Sequence, residues 1–200
     1  MRKEAFFFGF LSFIFMNCFG QDKTNPIVYS EMFGGYSLGS SEGWTGGLNI
    51  NYQTKNNLIT GRYLGLTKLK HIGDFFIFPA YVTVESINEF AVLYGKRFVH
   101  KGHSLSYSAG IAYIDREFMI NHDYNNIVYD NQQSVGFPFE INIKWFKSKK
   151  ERFRVMYGLI PIGKPTSFGR SIGFKFYGDI SKTTFVGLGL TYGFGWHKNY

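Results

Sequence analysis

Charged side chains recur at alternate positions within the apolar segments of this sequence. In residues 134–146, SVGFPFEINIKWF, large apolar residues occupy every second position, and Glu140 and Lys144 lie between them. A period of two indicates a strand with two unlike faces, one apolar and one polar. The polar phase, shared with small residues in the other segments, holds Glu31, Arg62, Glu89, Arg97, Glu140, Lys144 and Lys175.

Charges of both signs on one enclosed face permit two kinds of chemistry. Such a row can conduct protons or ions, or the charges can pair and fill the interior as a salt-bridged plug. Burial of an isolated charge is unfavourable, so opposite signs should pair wherever the face is enclosed. We therefore expect these seven residues to form a structural charge network.

Three other groups of residues have types that are used in catalysis, metal binding or phosphate binding. The segment HSLSYS sets His103 beside Ser104 and Ser106, but both serines have the phase of the enclosed face. The deacylase-like spacing, a serine two residues after the histidine, is absent because Leu105 occupies that position. His100 and His103 lie three apart on a turn, with no cysteine and no nearby carboxylate to complete a zinc site. The glycines of GLGLTYGFG lack the G-x-G-x-x-G spacing of a phosphate-binding loop. We predict no catalytic residue, no cofactor and no metal.

The first twenty residues have the pattern of a secretory signal peptide. Basic residues precede a short apolar run, and Cys18 and Gly20 place small side chains before a cleavage point after Gly20. A lipoprotein signal, with Cys18 as the lipidated residue, is the alternative. We expect a signal peptide at 1–20 and a single domain at 21–200, which then contains no cysteine.

Alternating segments indicate strands along the rest of the chain, and the sequence as a whole has 20% aromatic residues and 24 glycines. Short polar turns separate some of them, and long stretches at 69–85 and 118–133 are expected to be irregular. The segment 147–168 begins with a basic run and contains one more short alternation. It has three interpretations: an extra hairpin arm, an extension of the neighbouring strands, or part of a ten-stranded barrel. The predicted strands are 27–38, 44–54, 58–68, 86–98, 104–117, 134–146, 169–179 and 183–196.

The number of strands has two interpretations. Counting 75–84 and part of 147–168 gives ten, but this puts 118–133 on the side of the N-terminus, where outer-membrane barrels keep tight turns. Eight strands plus an irregular insertion place 69–85 and 118–133 together at the opposite end. We expect eight strands.

The size of the polar-face residues predicts which face is enclosed. In the last strand, Leu188, Leu190 and Phe194 alternate with glycine and threonine. A face of glycine, serine and alanine is limited by space and suits the inside of a narrow closed barrel, so the apolar face must point outward, where lipid can receive it. The sequence thus predicts an all-β, antiparallel, up-and-down transmembrane β-barrel in which Leu188, Leu190 and Phe194 contact lipid.

These features resemble the small outer-membrane β-barrel proteins of Gram-negative bacteria. The likeness is carried by the signal peptide, by the stretches FAVLYGKRF, SYSAGIAY and FPFEINIKW, and by the terminal aromatic Tyr200. The resemblance implies that Tyr200 acts as the signal recognised by the barrel-assembly machinery. It also implies an outer-membrane location, outer-membrane lipid as the surroundings and, as we expect, a monomer.

For the function, we expect a non-enzymatic barrel with a plugged lumen, acting in envelope integrity or in surface contacts through 69–85 and 118–133. The alternatives are a lipid-A-modifying enzyme, a narrow pore and a soluble secreted β-sandwich, which would have to expose its rows of aromatic residues. The formal net charge is +8, but export argues against nucleic acid. The basic run Lys147, Lys149, Lys150, Arg152 and Arg154 is expected to be a solvated turn, or to face anionic headgroups or the cell wall.

Overall fold

A computed structural model describes residues 26–75, 78–121, 127–147, 149, 151–156, 159–166 and 168–197. The predicted signal peptide at 1–20, its cleavage point and Tyr200 lie outside the described residues. No helix in the described part of the chain is long and apolar enough to cross a membrane.

Ten strands follow one another along the described chain, and eight of them are long. The period-two patterns that predicted strands all coincide with strands here, and the observed strands are longer at most ends. The bounds are β1 Ile27–Gly39, β2 Gly43–Thr54, β3 Asn57–Phe75, β4 Phe78–His100, β5 His103–Met119, β6 Tyr129–Phe146, β7 Glu151–Val155, β8 Ile160–Thr166, β9 Phe168–Ile180 and β10 Phe185–Trp196.

Eight strands close into a barrel in the order β1-β10-β9-β6-β5-β4-β3-β2, so the prediction of eight is confirmed and the alternative of ten is wrong. All the neighbouring strands are antiparallel, and β1 closes the barrel against β10 from Tyr29 opposite Gly195 to Gly39 opposite Phe185. Closure removes the free sheet edges over the length of the barrel. The order fixes an up-and-down barrel.

The turns define the two ends of the barrel. The entry end is where β1 begins, and it carries the turns at 55–56 and 101–102. In the second of these, Lys101 and Gly102 have φ of 41° and 90°, the left-handed pair that a two-residue hairpin requires. The far end carries the turns at 40–42 and 181–184.

Most of the stretch 69–85 and both ends of the stretch 118–133 are strand, contrary to the expectation of irregular structure. Most of 69–85 belongs to β3 and β4, which stay paired from Asn57 opposite Lys96 to Phe75 opposite Phe78, with two bulges. Much of 118–133 likewise extends β5 and β6, which pair as far as Met119 opposite Tyr129. Cross-strand pairing overrides the weak local pattern there. These hairpins project past the barrel at the far end.

The segment 147–168 is a small hairpin and not an irregular insertion. Its strands β7 and β8 pair with each other in a separate two-stranded sheet, with Val155 opposite Ile160 and Phe153 opposite Ile162. The hairpin lies between β6 and β9, which are neighbours in the barrel, so it leaves the barrel wall intact and projects at the entry end. We call this hairpin the arm.

Candidate functional site

The interior of the barrel brings together six of the seven predicted charged residues. Lys175 Nζ lies 3.0 Å from Glu140 Oε2 and 3.4 Å from Glu31 Oε2, and Lys144 pairs with the other oxygen of Glu31. These side chains come from β1, β6 and β9, which are adjacent or nearly adjacent in the barrel, and all have inward phase. Less than 2% of each charged side chain is exposed, so the charges pair with one another instead of with water.

Arg62 connects this group to Glu89. Arg62 Nε and Nη2 both donate to Glu89 Oε1, at 2.9 and 2.7 Å, and its Nη1 lies 3.6 Å from Glu140 Oε2. Glu140 is therefore approached by two cations from different strands. Removal of this one carboxylate would leave both Arg62 and Lys175 with one fewer partner.

Two inward amides complete the surroundings of Glu140. Asn49 Nδ2 donates to both of its oxygens at 3.2 and 3.1 Å, and Asn142 Nδ2 donates to Oε1 at 3.1 Å. Neither amide was among the predicted site residues, although both have the phase of the small and polar face. The hydrogen bonds fix the carboxylate in place, as a structural plug requires and as a mobile proton relay does not.

Arg97 is the seventh predicted residue, and the structure does not bring it into the network. It lies near the entry end, where Nη1 donates to Gln53 Oε1 at 2.8 Å and to the His197 carbonyl at 3.3 Å. Its guanidinium carbon is 4.8 Å from the centre of the Tyr29 ring. Within the described chain this guanidinium has no carboxylate partner, and aromatic faces take that place.

A block of apolar side chains fills the interior between the network and the far end, and the sequence did not predict it. Leu64 and Leu66 follow Arg62 at the same phase on β3, and Ile87 precedes Glu89 at the same phase on β4. The ring centres of Phe33 and Tyr177 are 5.2 Å apart. The cluster comprises Phe33, Leu64, Leu66, Ile87, Ala91, Leu93, Ala112, Ile114, Tyr177 and Phe185.

A smaller polar cluster lies at the far mouth. Arg116 Nε is 2.6 Å from Glu85 Oε1, and the Ser41 hydroxyl donates to the same oxygen at 2.5 Å. Arg116 is 24% exposed on its side chain, whereas Glu85 is 7% exposed. The cluster covers the apolar block on the side that faces solvent. Its residues could have been found from the inward phase of Glu85 and Arg116.

The outward phase presents large apolar side chains on all sides of the barrel. Leu188, Leu190 and Phe194, the predicted lipid-facing residues, are 61%, 57% and 38% exposed. Aromatic residues lie near strand ends: Trp44 at the far end, and Trp145 and Trp196 at the entry end. Exposed apolar residues in the barrel centre with aromatic residues toward both ends are the surface pattern of a membrane barrel.

The described residues do not assemble a catalytic or metal centre from the histidines and serines. Ser104 and Ser106 are buried in the lumen while His103 is exposed, since successive residues of a strand point to opposite faces. The rings of His100 and His103 are 6.0 Å apart across their turn. No group of three or more potential metal ligands occurs in the part of the chain that the structure describes.

Solved structures that align with this chain include three bacterial barrels. Neisserial surface protein A (NspA) aligns with a TM-score of 0.52 at 8% identity, over 88% of this chain and 100% of that chain. Ail, the attachment invasion locus protein of Yersinia pestis, aligns with a TM-score of 0.50 at 7% identity, over 90% of this chain and 100% of that one. The N-terminal β-barrel domain of Pseudomonas aeruginosa OprF aligns with a TM-score of 0.48 at 14% identity, over 88% and 100%.

No family model and no curated protein sequence matches this chain. The likeness to NspA and Ail establishes the fold as that of the eight-stranded outer-membrane β-barrels of Gram-negative bacteria. The resemblance inferred from the sequence is confirmed at this level. At such low identity the likeness concerns the fold alone.

Proposed function

We propose that this protein is an integral outer-membrane barrel, exported through a cleaved signal peptide, with a filled lumen and no enzymatic activity. The observation that carries the proposal is the apolar outer surface of a closed barrel whose interior holds paired charges. A soluble β-protein has the reverse arrangement. Closure satisfies the backbone without water, as the bilayer core requires.

The proposed role is to support the envelope or to make contacts at the cell surface through 69–85 and 118–133. Outer-membrane barrels have short periplasmic turns and longer extracellular connections, so the entry end faces the periplasm in this proposal. The hairpins at the far end then extend outward, with Tyr81 and Tyr129 exposed on them. Tyr129 Oη donates to the Thr83 carbonyl at 2.9 Å, which joins the two hairpins into one surface for a partner.

The filled interior argues against transport, and the separation of His103 from the serines argues against acyl-chain chemistry on lipid A. Arg97, Lys144 and Lys175 are almost completely buried, so they occupy the cross-section of an eight-stranded barrel, which is only wide enough for side chains. We propose a monomer that is assembled by the barrel-assembly machinery, with Tyr200 as its recognition signal.

Fractionation combined with unheated gel electrophoresis tests the location and the barrel. We expect the protein in outer membranes, with a mobility that changes on boiling. A detergent-free soluble monomer would contradict the proposal. Planar-bilayer recordings should give no steady conductance, and mass spectra of lipid A should not change when the protein is overproduced; loss or gain of an acyl chain would favour the enzyme.

Substitution of Leu190 tests the lipid-facing surface directly. Leu190→Arg should destabilise the folded barrel by about 2–4 kcal/mol, because a cation near the bilayer midplane loses its hydration. The free energy of unfolding in lipid vesicles measures the effect. A matched change, Tyr81→Arg, is on an exposed side chain of the far hairpin and should have little effect. Equal effects at the two positions would contradict a lipid-facing surface at Leu190.

Labelling of whole cells tests the orientation. A single cysteine at position 81 should react with an impermeant reagent, whereas one at position 149 should be protected, because the two positions lie at opposite ends. The opposite result would reverse the proposed orientation of the barrel in the membrane.

A further inference from the structure

The arm has an apolar surface that nothing in the described chain covers. Met156 and Leu159 near its tip are 66% and 78% exposed, and Ile160 and Ile162 are about half exposed at 47% and 52%. Ile160 lies opposite Val155 in the hairpin, and Ile162 follows it with the same phase, so these residues share one face. An isolated two-stranded hairpin is marginally stable in water, which indicates that this face packs against something beyond the described residues.

Basic residues surround the roots of the arm. Lys147, Lys149 and Arg152 are exposed at its start, and Arg170 is exposed just after its end. Lys101 is exposed on the neighbouring turn of the entry end. In the sequence of 147–170, Glu151 is the one acidic residue against seven basic residues, Lys147, Lys149, Lys150, Arg152, Arg154, Lys164 and Arg170. The surface therefore combines a positive base with an apolar tip.

Both roots of the arm join the aromatic part of the outer surface. Trp145, at the end of β6, makes an edge-on contact with Phe174 at 6.0 Å between ring centres. At the other root, Phe168 makes edge-on contacts with Phe194 at 4.6 Å and with Trp196 at 5.1 Å. Tryptophan and other aromatic residues of membrane barrels mark the headgroup level. The arm thus leaves the barrel at the height where headgroups begin.

We infer that the arm is a lipid-binding element that lies on the membrane surface at the entry end, with its basic residues on anionic phospholipid headgroups and its apolar tip among the upper acyl segments. The partner is an anionic phospholipid, because a positive rim next to exposed apolar side chains matches a phosphate-bearing headgroup above hydrocarbon. A protein partner would match the apolar tip without requiring the excess of positive charge. This inference rests on the proposed membrane location of the barrel.

Electron paramagnetic resonance of spin-labelled protein in vesicles tests the inference. Single cysteines are introduced by Leu159→Cys in the arm, Leu190→Cys on the lipid-facing surface and Tyr81→Cys at the far end, in the full chain carrying Cys18→Ser. Relaxation by oxygen, which prefers lipid, is compared with relaxation by a water-soluble nickel complex. In vesicles of phosphatidylcholine with phosphatidylglycerol, the labels at 159 and 190 should favour oxygen, and the label at 81 should favour nickel.

A charge-reversed variant separates headgroup recognition from simple apolar contact. Lys149→Glu with Arg152→Glu should shift the label at 159 toward the nickel complex, as should vesicles of phosphatidylcholine alone. The matched variant Lys68→Glu with Lys182→Glu, at the far end, should leave it unchanged. A label at 159 that remains in lipid under all these conditions would overturn the role of anionic lipid.

The label at position 190 distinguishes failure of the inference from failure of the proposed function. Oxygen-favoured relaxation at 190 with nickel-favoured relaxation at 159 in anionic vesicles would overturn only the lipid-binding arm. Nickel-favoured relaxation at 190 would overturn the membrane barrel itself, and the inference with it. Quenched access of both reagents at 159 would instead point to a protein contact, such as a second copy of this chain, and would also contradict the inference.

Discussion

Two parts of the barrel interior are filled by opposite kinds of side chain. Glu140, three charged neighbours and two amides hold one another by hydrogen bonds and ion pairs of 3.0–3.6 Å. Toward the far end, Leu64, Leu66 and their apolar neighbours pack together, and the Tyr177 hydroxyl among them lies 3.5 Å from the Ser37 hydroxyl. Both parts are buried, and both consist of residues at inward-facing positions of the barrel strands. A narrow lumen therefore requires filled volume, and it does not require polarity.

The two parts should respond differently to loss of one side chain. In the charged part, removal of a carboxylate leaves cations buried without compensation. In the apolar part, removal of methyl groups leaves a cavity and no unpaired charge. The first penalty is electrostatic, and it should become smaller when the cation left without a partner is removed as well. The second penalty depends on how far the neighbouring side chains can relax into the cavity.

Glu140→Gln should cause the largest loss. The change keeps the shape of the side chain and removes its charge, so Lys175 and Arg62 lose their shared partner, at an expected cost of about 3–5 kcal/mol. The free energy of unfolding of the barrel in detergent or vesicles measures it. Adding Lys175→Met should recover part of the loss, because the double variant removes a cation together with the anion. Independent, additive effects would show that the network is not coupled.

Leu66→Ala should be next in size, at about 2–5 kcal/mol, because Leu66 is completely buried in the apolar block. Leu69 on the same strand is 47% exposed beyond the paired part of β2, and Leu69→Ala is the matched control with a small expected effect. Denaturant titrations of both variants give the comparison. Similar losses for the two leucines would contradict an apolar plug.

The prediction of the fold from the sequence succeeded because alternation and residue size are local properties. Asn49, Asn51 and Gln53 alternate with Leu48, Ile50 and Tyr52, so the enclosed face of β2 is evident without any knowledge of its neighbours. The inward placement of Glu31 and Lys175 follows in the same way. The sequence predicted that opposite charges would pair, but it did not predict which residues pair with each other. The partner of a charge depends on the stagger of strands that are far apart in the chain.

The apolar block was not predicted because its residues are large and apolar, the type expected on the outward face, although they lie at inward positions. On β3, Leu64 and Leu66 lie between the glycine and threonine residues that size alone assigns to the lumen. Arg62 fixes the phase of that strand, and extending it by two and four residues would have identified both leucines. The arm was predicted only as one of three alternatives, because its pairing is confined to a few residues.

Two glycines sharpen the difference between the filled interior and the outer surface. A Cβ at Gly95, inside the barrel, would lie 1.9 Å from the Tyr107 carbonyl oxygen, whereas a Cβ at Gly61, outside, would meet no atom within 4 Å. Gly95→Ala should therefore cost about 1–3 kcal/mol through strand displacement, and Gly61→Ala should be close to neutral. Thermal or denaturant unfolding of the pair measures the difference. A neutral Gly95→Ala would mean that the strands separate at that point without loss.

The smallest effect is expected where a charged pair lies outside both parts of the interior. Lys68 Nζ and Glu42 Oε1 are 2.9 Å apart at the far end, as close as the interior pairs, but their side chains are 37% and 49% exposed. Water and salt screen such a pair, so Glu42→Gln should change the free energy of unfolding by about 0–1 kcal/mol, and less in high salt. The neighbouring Ser41 and Glu85 are buried, and Glu85→Gln at the same end should cost more, because Arg116 Nε and the Ser41 hydroxyl both donate to that carboxylate. Unfolding in low and high salt distinguishes the two glutamates. If Glu42→Gln were as costly as Glu140→Gln, short distance rather than burial would set the strength of the charge pairs, and the contrast between the interior and the surface would be lost.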